Sequence, residues 1–260
     1  MSIFVAELLP DGIVFAADKN LTLTFVDPAG AQLGGVQEIG SKVLRWPHAK
    51  GLLGYVGLAD VGSQSMHDWL YDFIGDHIGF TDPAPVAADL RNRLQSEIGH
   101  ADRAIVQFGA YAMRQGCIIP EYWSITNVPG LDQDGYLPPS DTFIASERLS
   151  GVHLRDEGVT SAHEVREHLR KRAEKFNPFW FHQGFDLGIL NTISEAVRQA
   201  LQAIQAGGLR RTPSTRAEWE QYAKFWVLTY GAYFDSFGAP GERYVGGGAD
   251  VLSIPWPDKL

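Results

Sequence analysis

A serine hydroxyl is a poor nucleophile until something takes its proton, and removal of Met1 would place that something on Ser2 itself. The freed α-amino group has a reference pKa of about 7.7–8.0, so near neutral pH it can accept the hydroxyl proton, directly or through a water, and return it to a leaving amine. Other residues of chemical type stand at the ends of short elements. Asp18 closes a β-prone run, Lys42 opens another, and Gly57 lies where strand-like sequence gives way to a helical period. Each has an ordinary meaning taken singly: a small residue after an initiator methionine, a turn-forming aspartate, a lysine on a solvated strand edge, a glycine permitting a strand-to-helix turn.

Competing chemistries have less support. The eight histidines are scattered, with no H-E-x-x-H or Cys/His cluster, so they read as surface residues and no metal is expected. Gly246-Gly247-Gly248 lacks the lysine and hydroxyl residue of a phosphate loop and reads as close strand packing; no cofactor is implied. The lone Cys117 excludes an internal disulfide framework and fits a reducing compartment. An excess of 31 acidic over 22 basic residues gives a net charge of -9, which repels nucleic acid and anionic membranes. Glu7, Asp11 and Asp18 interrupt the N-terminal apolar stretch, and nothing later approaches a membrane span, so a cytoplasmic protein is expected.

The elements that must position these residues follow from pattern. Ile3 to Leu8 and Ile13 to Ala17 are β-prone runs joined by Leu9-Pro10-Asp11-Gly12, a hairpin. Lys42 to Trp46 and Gly51 to Val56 form a second, with Leu21 to Gly40 between the pairs as a polar connection carrying an irregular hairpin. Met66, Trp69, Leu70, Phe73 and Ile74 fall on one helical face, and Asp82-Pro83 starts a helix along Val86, Leu90, Leu94 and Ile98. Strands return at Ala104 to Tyr111, Cys117 to Thr126 and, weakly, Phe143 to Ala145. Ser161 to Lys175 alternates charges and reads as a solvated helix ended by Asn177-Pro178; helices through Ile193 to Ile204 and Trp219 to Phe234 precede a last strand at Ala249 to Ile254. This order suits sheets stacked between helical layers rather than a parallel βαβ fold.

Ser2-Ile3-Phe4-Val5-Ala6, followed by Asp11-Gly12-Ile13-Val14-Phe15-Ala16-Ala17-Asp18, resembles the opening of a proteasome-type β-subunit, where a nucleophile begins the first strand and an aspartate sixteen residues later ends the second. Ser41-Lys42-Val43-Leu44 and Gly57-Leu58-Ala59-Asp60 resemble the next two segments of that family and its bacterial relatives, the N-terminal-nucleophile (Ntn) hydrolases. The resemblance covers about the first quarter of the chain. It implies an α+β fold, a four-layer αββα sandwich of two antiparallel sheets, as a single domain over residues 1–260 with a helical elaboration around 160–235. It implies Ser2 as nucleophile, Lys42 beside the hydroxyl lowering its pKa, Asp18 paired with that lysine, and the Gly57 N–H as oxyanion donor. Ser146 would correspond to the family's second active-site serine and Glu242 to its second aspartate. Tyr55 would floor the substrate pocket, with Ala59 and Gly40 as walls.

Three departures stand out. Serine replaces the family's threonine, the interval from Asp18 to Lys42 is eight residues longer, and Val245 stands where the motif has another serine. The expected function is an N-terminal serine hydrolase cleaving peptide or other amide bonds in a proteasome-like homo-oligomer, a ring among its forms. A non-catalytic scaffold of the same fold and a small-molecule amidase are the alternatives.

Overall fold

The computed structural model describes residues 2–26, 32–98, 102–128, 140–149, 161–174, 179–183, 187–208, 212–237 and 246–259, with the backbone alone for 21–26, 32–39, 49, 148–149, 179–183 and 187–191. Met1, the Asn177-Pro178 helix stop, Glu242 and Val245 lie outside the described residues.

The N-terminal hairpin is the centre of the molecule. Every residue of β1 (Phe4–Leu9) and β2 (Gly12–Asp18) is buried, so both faces of the hairpin are covered. Side chains alternate across a strand, and the alternation sorts these residues into two cores. Phe4, Ala6 and Leu8 with Ile13, Phe15 and Ala17 face one; Val5, Leu9, Val14 and Ala16 face the other.

The hairpin lies inside a four-stranded antiparallel sheet. Its neighbours are β13 (Ala249–Pro255) beside β2 and β12 (Phe179–Gln183) beside β1. A five-stranded antiparallel sheet runs in the order β11 (Ile144–Leu149), β10 (Cys117–Thr126), β9 (Ala104–Arg114), β6 (Gly51–Gly57), β5 (Val43–Arg45). Two small hairpins, β3 (Asn20–Val26) with β4 (Gln32–Ile39) and β7 (Asp60–Val61) with β8 (Gln64–Ser65), complete the strands described.

The large sheets share a core in which Phe4 and Phe15 meet Val43, Leu52, Val56 and Tyr122. The sheets approach closely: a side chain at Gly54 would come within 2.1 Å of the Phe4 ring. The outer face of the five-stranded sheet is covered by α1 (Met66–Asp76) and α2 (Pro83–Glu97), through Trp69, Leu70, Phe73, Leu90 and Leu94. Ser65 and Asp82 cap these helices, accepting from Asp68 N and Ala84 N at 3.1 Å each. The outer face of the four-stranded sheet packs against Trp219, Trp226 and Tyr230 of α5 (Arg216–Phe237), with Ala173 of α3 (Ala162–Glu174) and Leu201 of α4 (Leu187–Ala206) in the same cluster. The molecule is thus a mixed α/β fold with several antiparallel sheets.

Two local expectations are corrected. The stretch 160–235 is not purely helical: the aromatic run of β12 completes the sheet at the edge of β1. The helix α3, read as solvated from its charges, buries Val165, Leu169 and Ala173 at spacings of four. Among the described residues no helix is long and apolar enough to cross a membrane.

Candidate active site

Hairpin register brings the two ends of the first chain segment together. With Phe4 paired to Ala17, Asp18 N donates to Ile3 O at 3.1 Å and Ile3 N donates to the Asp18 Oδ1 at 2.7 Å. Ser2 therefore emerges beside Asp18. Lys42 reaches across from the five-stranded sheet, its Nζ donating to Asp18 Oδ2 at 2.9 Å and to Ser2 Oγ at 3.0 Å. All three are removed from solvent, Ser2 at 7%, Asp18 at 0% and Lys42 at 2% exposure.

Burial sets the electrostatics. It pulls the Lys42 ammonium below the ordinary lysine range and pushes the Asp18 carboxyl above the ordinary aspartate range, against their mutual attraction and the Ile3 N–H. A cation held against a serine oxygen in such a medium favours the alkoxide form of the hydroxyl.

Gly57 ends β6 with φ +100, and a side chain there would stand 2.5 Å from Arg103 O. Only glycine fits this turn, which Leu58 N closes by donating to Arg103 O at 2.8 Å. Two residues on, Ala59 O accepts from Met66 N at 2.7 Å, so the turn leads directly to α1. Ala59 and Gly40 are half-buried. Tyr55 is 2% exposed, its ring in the core under α1 and its hydroxyl donating to Ser41 O at 3.1 Å; as it stands, the ring offers no surface to a substrate.

Ser146 does not join the group, which corrects its expected supporting part. Its register row runs through Ser124, Gln107 and Gly54 to Val43, four strands across the sheet, about 19 Å at ordinary strand spacing. Sheet order, which no local pattern encodes, separates them. Lys19 follows Asp18, yet it is Lys42 that pairs with the aspartate.

Sequence reasoning missed two residues around Ser41, and the bond that Tyr55 makes there. His67 is half-buried, with Nδ1 3.1 Å from Ser41 O; the Ser41 hydroxyl donates to an Asp250 carboxylate oxygen; and the Tyr55 phenol is the third partner. His77 is likewise no surface residue, stacking on Phe73 and lying 3.2 Å from Asp89. A charged residue inside a terminal strand that is otherwise apolar but for Ser253 is the one signal that could have marked Asp250. Among the described residues no three His, Cys, Asp or Glu side chains cluster as metal ligands would.

No family model and no curated protein matches the sequence. Among solved structures, the chain is similar to the Anbu (Gly-1) mutant from Hyphomicrobium sp. strain MC1, with a TM-score of 0.48 and 14% sequence identity over 98% of this chain and 82% of that one.

Proposed function

We propose that the protein is an N-terminal serine hydrolase acting on peptide or other amide bonds, and that its helix, sheet, sheet, helix packing is the four-layer Ntn-hydrolase sandwich. The observation that carries this reading is the Lys42 ammonium held between Ser2 Oγ and Asp18 in a buried setting.

In this reading, removal of Met1 frees the Ser2 amine. Ser2 Oγ attacks the substrate carbonyl carbon while its proton passes to the α-amino group; Lys42 stabilises the forming alkoxide, and the Gly57 N–H receives the oxyanion. Collapse breaks the C–N bond, the amine leaves with the proton held by the α-amino group, and water then hydrolyses the ester. The active form is a homo-oligomer. A non-catalytic scaffold is the second reading, favoured by the distance of Ser146 from the trio.

The test pairs intact mass with labelling by a hydroxyl-directed β-lactone. Mature wild type should lack the initiator methionine and gain one acyl group at Ser2, whereas Ser2→Ala should fold normally and gain none. Retained methionine without labelling selects the scaffold; equal labelling of the alanine variant moves the nucleophile elsewhere.

A further inference from the structure

Lys42 lies one residue before β5 begins, at the very end of the sheet ladder. Its neighbour is fixed from three directions. The Ser41 carbonyl accepts from the Tyr55 phenol of β6 at 3.1 Å and faces His67 Nδ1 of α1 at 3.1 Å, while the Ser41 hydroxyl bonds Asp250 of β13. Tyr55 N also donates to Lys42 O at 3.1 Å. We propose that Tyr55, His67 and Asp250 are positioning residues that clamp Ser41 and thereby hold the Lys42 ammonium against Ser2 and Asp18, an inference that rests on the hydrolase reading of the trio.

The elements that meet at Ser41 are those that carry the site. Asp250 pairs with Ala17, next to Asp18, so its bond to Ser41 ties the segment bearing the lysine to the sheet bearing the aspartate. His67 is the second residue of α1, and the first, Met66, is bonded to Ala59 beyond the Gly57 turn. The clamp thus couples the Gly57 turn to the lysine. Two N–H or O–H donors occupy the two lone pairs of one carbonyl, which leaves the Ser41–Lys42 peptide little freedom to tilt. A lysine side chain has four flexible carbons, and a displacement near 1 Å at its tip costs about a hundredfold in rate when the tip must meet a reacting atom.

The chemistry of each contact is constrained. Facing a carbonyl, His67 must carry its proton on Nδ1. The Tyr55 phenol remains a donor because burial, with Asp60, Asp68 and Asp250 nearby, pushes its ionisation above the ordinary tyrosine range. Core packing accounts for the Tyr55 ring but not for the aim of its hydroxyl, so Tyr55→Phe separates the two.

The experiment follows the Lys42 titration by NMR of 13Cε-labelled lysines in the full chain, assigned with Lys42→Arg, alongside β-lactone labelling. In Tyr55→Phe and His67→Ala the loosened ammonium should gain water, moving its midpoint upward by roughly one pH unit. Labelling should slow on the order of tenfold to a hundredfold. His67→Asn, whose amide N–H stands near the place of Nδ1–H, should recover most of both, which a purely structural role for the imidazole ring would not produce. A midpoint unmoved in both Tyr55→Phe and His67→Ala overturns the clamp. A midpoint that moves as expected in a protein that never labels sustains the clamp and removes the hydrolase reading instead.

Discussion

Asp18 and Glu7 sit on the two strands of one hairpin, and both are fully shielded from water at 0% exposure. At Asp18 the carboxylate receives the Ile3 N–H and the Lys42 ammonium. At Glu7, on the face that packs against α5 between Val5 and Leu9, neither carboxyl oxygen has a hydrogen-bond partner among the described residues. Burial raises the pKa of both, well above the ordinary range for Glu7, and only at Asp18 does anything oppose it. One problem is therefore met in two ways: a cation from outside the hairpin faces the carboxylate at its open end, and burial in its middle favours the neutral carboxyl. Of the two carboxyls, only the one that Lys42 reaches, beside Ser2, has a charged partner.

The largest effect should come from removing the cation. Lys42→Met leaves Asp18 buried without its partner, and breaking such a pair costs about 3–5 kcal/mol. Adding Asp18→Asn removes the stranded charge and should recover more than half of the loss. Urea unfolding of the single and double variants reads both. A single variant within 1 kcal/mol of wild type would mean that Asp18 is not the charged partner the geometry describes.

Glu7 should behave in the opposite sense. Its folded pKa is raised, so below the ordinary glutamate value of about 4.3 the folded and unfolded states are equally protonated and the group has no effect. As pH rises above that value the unfolded chain ionises while the folded one does not. Stability then falls by up to about 1.4 kcal/mol per pH unit until the folded group also ionises. Glu7→Gln abolishes this loss, and its advantage over wild type should grow from its value near pH 4 as pH rises, at up to that same slope. Any fixed cost of the buried amide shifts both ends equally, so the slope is the measurement; parallel stability curves would show that Glu7 has a partner.

The pairing of Ser2 with Asp18 was legible because a hairpin is local, whereas Lys42 was expected beside them only through the resemblance. The short Leu9 to Gly12 connection fixes the register of Phe4 on Ala17, and that register alone puts Ser2 and Asp18 side by side. The helices of 66–74 and 82–98 were equally plain, since their caps and apolar spacing lie within each segment. Ser146 misled because its position depends on sheet order, which is set by contacts far along the chain. His67 and Asp250 meet Ser41 across 26 and 209 residues, with no periodicity to announce either. The unpaired state of Glu7 was invisible for another reason: a strand residue whose neighbours alternate can face water or core, and only the docking of α5 decides which.

The smallest effect sharpens the comparison most directly, because it concerns the lysine that sequence proximity would favour. Lys19 adjoins Asp18, but its visible anchors belong to the backbone: its N–H donates to Gly246 O at 3.1 Å, and its carbonyl accepts from Gly40 N at 2.9 Å. Alanine preserves both. Lys42 already holds Asp18 Oδ2, and Ile3 N holds Oδ1, so the carboxylate has its cation and its backbone donor without Lys19. Lys19→Ala should therefore change stability by no more than about 0.5 kcal/mol, the range of surface substitutions away from such networks. Its β-lactone labelling rate should stay within about twofold of wild type, for the same reason. Urea unfolding and a labelling time course on Lys19→Ala and Lys42→Met, run side by side, decide the matter. Equal losses in the two variants would mean that the charge on Asp18 is shared between the lysines and that the long connection before Ser41 does not select one of them.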